Sequence, residues 1–391
     1  MQVDEGFPLW CAACEWGLPE NATERNESTP AVRRSRIDPA RFDPARFGAY
    51  VLATVVHVLP PGLLASATAL VILGRSVVAY VMAAVLVAVT VTLRPRFGRL
   101  DPDAETLNRE GAPHLFGLCD EVAAGLGGRP VDVIVISPEF NAAYAVLGLR
   151  RRRTLLLGLP LWRTLTSGQK VALIGHELAH GVNGDCRRGL YVGSALDVLT
   201  TLHRTLHPDQ LFGAEDGFMY VSRLVLTPVL WVCRGAVALL RRGLELLTAS
   251  SGRRAEHHAD ELAARVASSE AVAGLLEAMT VLGPTVEFAV RTSPTVRSPL
   301  PLWERVDQAV AALPDGERER RLRLAAREGA RVDATHPPTR LRIAHVRALG
   351  LAEPRVRLSP ETEARIDGEL AAVSARIERD LAETAEAALY F

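Results

Sequence analysis

The chain is short of several things, and each shortage excludes a class of protein. Five cysteines among 391 residues are too few for a disulfide-built scaffold and fit a reducing compartment. Aromatic residues make up only 5%, and 45 acidic side chains cancel 45 basic ones. No general attraction to nucleic acid follows from such a balance. Lysine is all but missing: Lys170 stands alone, and every other basic residue is arginine. Neither a glycine-rich phosphate loop, nor a dinucleotide fingerprint, nor Gly-x-Ser-x-Gly occurs, which argues against nucleotide binding and serine chemistry. No internal repeat is visible. The first twenty residues lack the basic-then-apolar order of a cleavable signal peptide, so none is expected.

Charge is also missing from two long stretches. Ala49 to Leu73 and Ser76 to Leu93 contain no Asp, Glu, Lys or Arg, and only Gly74 and Arg75 part them. Eighteen helical residues cover roughly 27 Å, close to the thickness of a bilayer's hydrocarbon core. We therefore expect residues 49–93 to form a transmembrane helical hairpin (49–73 and 76–93), bent at Pro60-Pro61. A single span from about Leu63 onward would bury Arg75 in lipid. Arg33, Arg34, Arg36, Arg41 and Arg46 precede the hairpin, and Arg94, Arg96 and Arg99 follow it. Positive flanks stay cytoplasmic, so a multi-pass cell-membrane protein facing the cytoplasm is expected, with the lipid bilayer as one partner.

Residues 1–48 read as a poorly ordered cytoplasmic segment. Within them Cys11-x-x-Cys14 resembles half of a zinc ribbon; a four-thiolate site would need another chain or a further segment. Past Leu100, Pro113 to Ala124 reads as a helix and the β-branched Val131 to Ile136 as a buried strand. Asn141 to Leu147 and Thr154 to Leu159 read as two more strands, with Arg150 to Arg153 as a solvated loop between them. Residues 219–242 are apolar but carry Arg223, Arg234 and Arg241 on one helical face. A helix lying on the membrane or packed on the hairpin is expected there. In 350–391, Ser359-Pro360-Glu361 starts an amphipathic helix whose stripe is Ile366, Leu370, Val373, Ile377 and Leu381. That stripe suits docking on the rest of the chain, with a dimer contact as the alternative. Cys119, Cys186 and Cys233 fall in apolar helices and are expected in the core. His57 is expected to hydrogen-bond within the hairpin.

Chemistry concentrates in His176-Glu177-Leu178-Ala179-His180. Thr166-x-x-Gln169 is a capping-box start and Asn183-Gly184 a stop, so the run sits on one helix. There His176 and His180, four apart, share a face and can grip one ion. Glu177 beside them is placed to take a proton from the attacking water. Burying two imidazoles and a carboxylate without partners is costly, and the apolar flank Val171, Ile174 and Leu178 implies burial. A third ligand must come from elsewhere. Glu256 is the candidate: with Asp260 four residues on, it shares a helix face, so one carboxylate can bind metal while the other orients a ligand. The same spacing also fits an ordinary salt-bridged helix.

At this point the sequence resembles a known family. His-Glu-Leu-Ala-His with Gly184-Asp185 after it, Arg253-x-x-Glu256-x-x-Ala259-Asp260, and Thr335-His336-Pro337-Pro338-Thr339-x-x-Arg342-Ile343 look like the HtpX heat-shock protease and CaaX prenyl protease family. The motifs keep the family's order behind a hydrophobic hairpin and cover roughly 100–349. The resemblance implies an α+β zincin-like metallopeptidase domain, mainly helical with a small sheet, holding one Zn2+ per chain. It implies His176, His180 and Glu256 as zinc ligands and Glu177 as the catalytic carboxylate. It further implies that His336 helps stabilise the oxyanion and that Asp260, Arg342 and Asp185 support the ligands. Asn141, Ala142 and Ala143 look like the family's edge strand, which would bind an extended peptide. Protein or peptide substrates, with no nucleic acid or nucleotide, follow. The implied activity is a membrane-anchored zinc endopeptidase, in quality control by analogy. A narrow processing protease and a catalytically silent zinc scaffold are the other readings. Two features depart from the family: two further hydrophobic spans of HtpX relatives have only 219–242 as a counterpart, and His257-His258 replaces an aromatic-basic pair.

Overall fold

The computed structural model describes residues 6–18, 44–94, 98, 100–148, 150–182, 185–207, 217–292, 300–327 and 337–387. Among them are twelve α-helices and one four-stranded sheet. They fall into two compact units: residues 1–35, 99–186 and 254–391 in the first, 36–98 and 187–253 in the second.

The first unit is built on the sheet of β1 (Glu105–Leu107), β2 (Val133–Ser137), β3 (Ala142–Leu147) and β4 (Arg152–Gly158), ordered β1-β2-β4-β3. β2 and β4 run parallel, while β1 and β3 pair antiparallel with their neighbours. The β-branched Ile134, Val135 and Ile136 of β2 are buried, as a strand covered on both faces requires. β3 forms an edge, with Ala142 opposite Leu157 and Ala143 opposite Leu156. Arg152 and Arg153 extend β4 instead of looping. The Arg153 guanidinium donates to Asp132 at 2.5 and 2.8 Å, and the turn before it holds Gly148 at φ +70° and Arg151 at φ +52°. Gly158 has to be glycine: a Cβ there would lie 2.0 Å from the Glu139 carbonyl oxygen.

Helices α3 (Pro113–Gly125), α4 (Leu159–Thr164), α5 (Ser167–Val182), α8 (Ser269–Thr292), α9 (Leu302–Ala311), α10 (Asp315–Arg327), α11 (Thr339–Leu349) and α12 (Pro360–Ala387) complete this unit with the end of α7 (Gly217–Val266). The stripe of α12 docks: Ile366, Leu370, Val373 and Ile377 are buried in the same core as Ile174 and Leu155. Polar contacts fix its register. Glu363 accepts from Lys170 and Ser167 at 2.6 Å, and Glu369 takes the first amides of α3, from His114 and Leu115, at 2.7 and 3.0 Å. A carboxylate there satisfies donors that a helix start leaves open and faces the positive end of the helix dipole.

The second unit holds α1 (Pro44–Leu73), α2 (Val77–Thr92), α6 (Asp185–Thr205) and the first part of α7. Ala49, Ala53 and Val56 of α1 pack with Val192, Ala195 and Leu199 of α6 and with Val237 and Leu244 of α7. Residues 219–242 are therefore part of one 50-residue helix that packs on α1. Two of the arginines on its basic face are engaged: Arg241 reaches Glu245 at 2.8 Å, and Arg234 lies over Trp231; the Arg223 side chain lies outside the described residues. His57 bonds outside the two-helix segment, at 2.9 Å from the Tyr191 carbonyl and 3.2 Å from the Ser194 hydroxyl on α6. Cys119 is buried as expected, but Cys233 is exposed.

Among the described residues two helices are long and apolar enough to cross a bilayer, α1 and α8, and burial separates them. Only 17% of α1's most apolar window is buried, against 44% for α8. Val272, Leu275, Leu276, Leu282 and Val286 of α8 lie in the core of the first unit, so its hydropathy records core packing. On α1 and α2, Val51, Val55, Leu64, Ile72, Val78, Val81 and Val85 are all exposed. Apolar surface of that extent marks a membrane or protein contact.

Candidate metal centre

The helix that carries the two histidines starts with a reciprocal cap. The Thr166 amide donates to Gln169 Oε1 at 3.0 Å, and the Gln169 amide donates to Thr166 Oγ1 at 3.5 Å. Val171, Ala172, Leu173, Ile174 and Leu178 bury its apolar side, which turns His176, Glu177 and His180 toward the rest of the unit. Gly175 sets how closely α7 can approach: a Cβ would stand 3.3 Å from Ala263 Cα. Alanines 259, 263 and 264 on α7 are fully buried, so the two backbones lie close, and Glu256 and Asp260, a turn apart, reach the histidines.

His176, His180 and Glu256 converge, and they are the one group of three or more possible metal donors among the described residues. The two Nε2 atoms are 3.4 Å apart. His176 Nε2 is 3.5 Å from Glu256 Oε2, and His180 Nε2 is 3.7 Å from Glu256 Oε1. Donors around a tetrahedral zinc ion, each about 2.0–2.1 Å from the metal, stand about 3.3 Å from one another. The triangle thus matches three corners of such a tetrahedron to within a few tenths of an ångström. Two nitrogens and one carboxylate also form the donor set of catalytic zinc, which leaves a fourth position for water or substrate. The residues fit the ion.

The support around the triangle is ionic and buried. Asp260, wholly inaccessible to solvent, accepts from Arg342 Nε and Nη2 at 2.8 and 2.7 Å and lies 3.0 Å from His176 Nδ1. That contact fixes the ring so that Nε2 faces Glu256 and His180, the orientation metal-binding histidines commonly receive from a carboxylate. Arg342 Nη2 also approaches Glu256 Oε2 at 3.3 Å. Burial works against the His176 imidazolium, yet hydrogen bonds to Asp260 and Glu256 and the charge of Glu177 outweigh it. They raise the ring from 6.5 to about 9. Burial also works against the Asp260 carboxylate, but Arg342 and His176 hold it below its usual range. The pocket therefore favours positive charge where a dication would sit.

The remaining expected residues divide. Glu177 is half-buried on α5 beside the triangle. Ala142 and Ala143 lie on edge strand β3, and the Asn141 carbonyl accepts from the Gly158 amide at 2.8 Å. Asp185 begins α6, while its side chain, like the whole of His336, Asn183 and Gly184, lies outside the described residues. His257 faces away from the triangle, its ring 5.1 Å from that of His345, which in turn bonds Glu261 at 2.9 Å. One neighbour escaped the sequence reading. Tyr144 on β3 presses against Gly181, where a Cβ would stand 2.7 Å from the ring. The glycine directly after His180 was its only signal.

A family model described as "Peptidase family M48" matches residues 117–349, a span that includes the histidine pair, Glu256, Asp260 and Arg342. No curated protein and no solved structure matches. The chain belongs to peptidase family M48, a family of zinc metallopeptidases, and substrates of peptide or protein nature follow from that membership.

Proposed function

We propose that this protein is a membrane-anchored zinc endopeptidase of the HtpX and CaaX protease type, cleaving membrane or membrane-proximal polypeptides. The observation that carries the proposal is the triangle of His176, His180 and Glu256, whose edges of 3.4, 3.5 and 3.7 Å suit one tetrahedral ion. In this reading those three residues hold zinc, one ion per chain. When bound, zinc supplies a Lewis acid that acidifies water and polarises a carbonyl. Glu177, adjacent in sequence to the first ligand, takes the proton of the attacking water and later passes it to the leaving amine. His336 donates to the oxyanion. Asp260 keeps His176 oriented, Arg342 keeps Asp260 ionised, and Asp185 supports the ligands. An extended substrate adds to edge strand β3 at Asn141, Ala142 and Ala143 through backbone hydrogen bonds.

The exposed apolar faces of α1 and α2 support a hairpin in the bilayer. Arginines on both flanks support an orientation that leaves the peptidase unit in the cytoplasm. Residues 1–48, 49–93, 100–349 and 350–391 then serve as N-terminal segment, anchor, catalytic domain and clamp helix. Quality control of membrane proteins is the role this arrangement suits.

The test compares purified wild-type protein with Glu177→Gln on casein, with and without a chelator. We expect chelator-sensitive cleavage by the wild type and a zinc-replete variant that does not cleave. Cleavage retained by a zinc-replete Glu177→Gln protein would remove Glu177 from the reaction. A wild type that binds zinc but cleaves nothing would favour a silent scaffold.

A further inference from the structure

The metal centre uses no sulfur, yet the first unit carries a second arrangement of metal-binding side chains far away in sequence. Residues 6–18 dock on this unit and bring Cys11 and Cys14 with them. The Cys11 amide donates to the Trp16 carbonyl at 2.9 Å, and the Glu15 amide donates to the Cys11 carbonyl at 2.8 Å. Together these close a tight turn around both cysteines. The turn needs Glu15 at φ +59°, a left-handed conformation unfavourable for any residue with a Cβ. Two arginines of α10 hold it there. Arg323 donates to the Ala12 carbonyl at 2.6 Å, pairs with Glu15 at 3.3 Å and lies over the Trp10 ring, and Arg327 also pairs with Glu15. Gly17, at φ +82°, approaches the Leu9 carbonyl so closely that a Cβ would stand 2.3 Å from it.

The two cysteines stand three positions apart, the Cys-x-x-Cys spacing of paired zinc ligands. Cys14 is exposed, beside Trp16 at 62% and Leu9 at 47% exposure.

We propose that the Cys11–Cys14 turn is half of a tetrathiolate zinc site that a second copy of this chain completes. A closed structural zinc site takes four ligands, and the turn supplies two. No other cysteine or histidine occurs among residues 1–48. The other cysteines, Cys119, Cys186 and Cys233, stand singly, so the sequence carries one Cys-x-x-Cys pair, and Cys119 is buried in α3. The matching half is therefore the same turn related by a two-fold axis, where a self-complementary patch meets itself. Exposed Trp16 and Leu9 supply apolar surface around the sulfurs. Each thiol releases its proton to solvent as its sulfur–metal bond forms, so the site loads more readily as pH rises. The site is independent of the peptidase chemistry proposed above.

Cobalt(II) titration of the full-length, chelator-stripped protein in detergent, under reductant, tests this. Absorption is read for sulfur-to-cobalt charge transfer and mass is followed by sedimentation. In the His176→Ala/His180→Ala protein, whose peptidase site takes no ion, we expect the sulfur band to saturate at one ion per two chains while the protein mass doubles, and chelator to reverse both. Cys14→Ser and Cys11→Ser should each lose the band and the mass change, whereas His176→Ala/His180→Ala should keep both. Absence of the band, saturation at one ion per chain, a mass indifferent to metal, or a band that survives Cys14→Ser would each overturn the proposal.

Discussion

Asp260→Asn is the perturbation that asks most of the site, because it removes one charge and changes almost no volume. In the wild type Asp260 answers two partners at once: His176 Nδ1 at 3.0 Å and the guanidinium of Arg342 at 2.7 and 2.8 Å. Two separable losses follow. Zinc affinity should fall about 10- to 100-fold, or about 1.4–2.8 kcal/mol, the usual effect of losing a carboxylate that orients a ligand histidine. Independently, Arg342 is left buried with a single carboxylate neighbour, Glu256 at 3.3 Å. Breaking a buried pair costs about 3–5 kcal/mol, and the surviving Glu256 contact points to the lower end. The assay is zinc competition against a chromophoric chelator, with unfolding of the metal-stripped proteins followed alongside. Adding Arg342→Gln should restore part of the stability, since the buried guanidinium that lost its partner is gone, and none of the zinc affinity. An Asp260→Asn protein with wild-type affinity would refute the orienting role. Wild-type stability without metal would refute the buried ion pair.

Protonation gives a second prediction. His176 is raised from 6.5 to about 9 by Asp260 and Glu256 against the opposition of burial. The stabilisation from its imidazolium is complete below pH 6.5 and disappears as pH climbs through about 9. Metal-stripped protein should lose stability over that window, seen as a falling melting temperature, and zinc affinity should rise there as protons stop competing. Gly181→Val should force Tyr144 away and shift β3 at a cost of about 1–3 kcal/mol; the check is a loss of cleavage that exceeds any loss of zinc. Leu370→Ala should destabilise the first unit by about 2–5 kcal/mol in thermal melts, whereas a stripe used only for dimer contacts would leave the monomer's stability unchanged.

How much of this was legible beforehand depended on range in sequence. The capped helix with His176 and His180, the β-branched β2 and the stripe of α12 are local patterns, and each element formed nearly where its pattern predicted. The three-residue β1 carries too little pattern to read. Helix α7 joins an apolar stretch to a charged one, so its composition suggested two elements where one helix runs through. Hydropathy alone likewise could not tell α8, a core helix, from α1. The site shows the same limit. Spacing made Glu256 and Asp260 plausible partners, but an ordinary salt-bridged helix has that spacing too. Only the close packing of Gly175 on Ala263, set by residues far apart in the chain, brings the carboxylates to the imidazoles. Tyr144 was missed for the same reason, since its partner Gly181 is a neighbour in space alone.

The most direct test of the metal centre is zinc-edge X-ray absorption on full-length Cys11→Ser/Cys14→Ser protein, where sulfur from the N-terminal turn cannot contribute. One zinc per chain is predicted, with only nitrogen and oxygen neighbours at about 2.0–2.1 Å, two imidazole signatures, and loss of the ion in Glu256→Ala. Sulfur in the inner shell, or zinc that binds with undiminished affinity after Glu256→Ala, would contradict it.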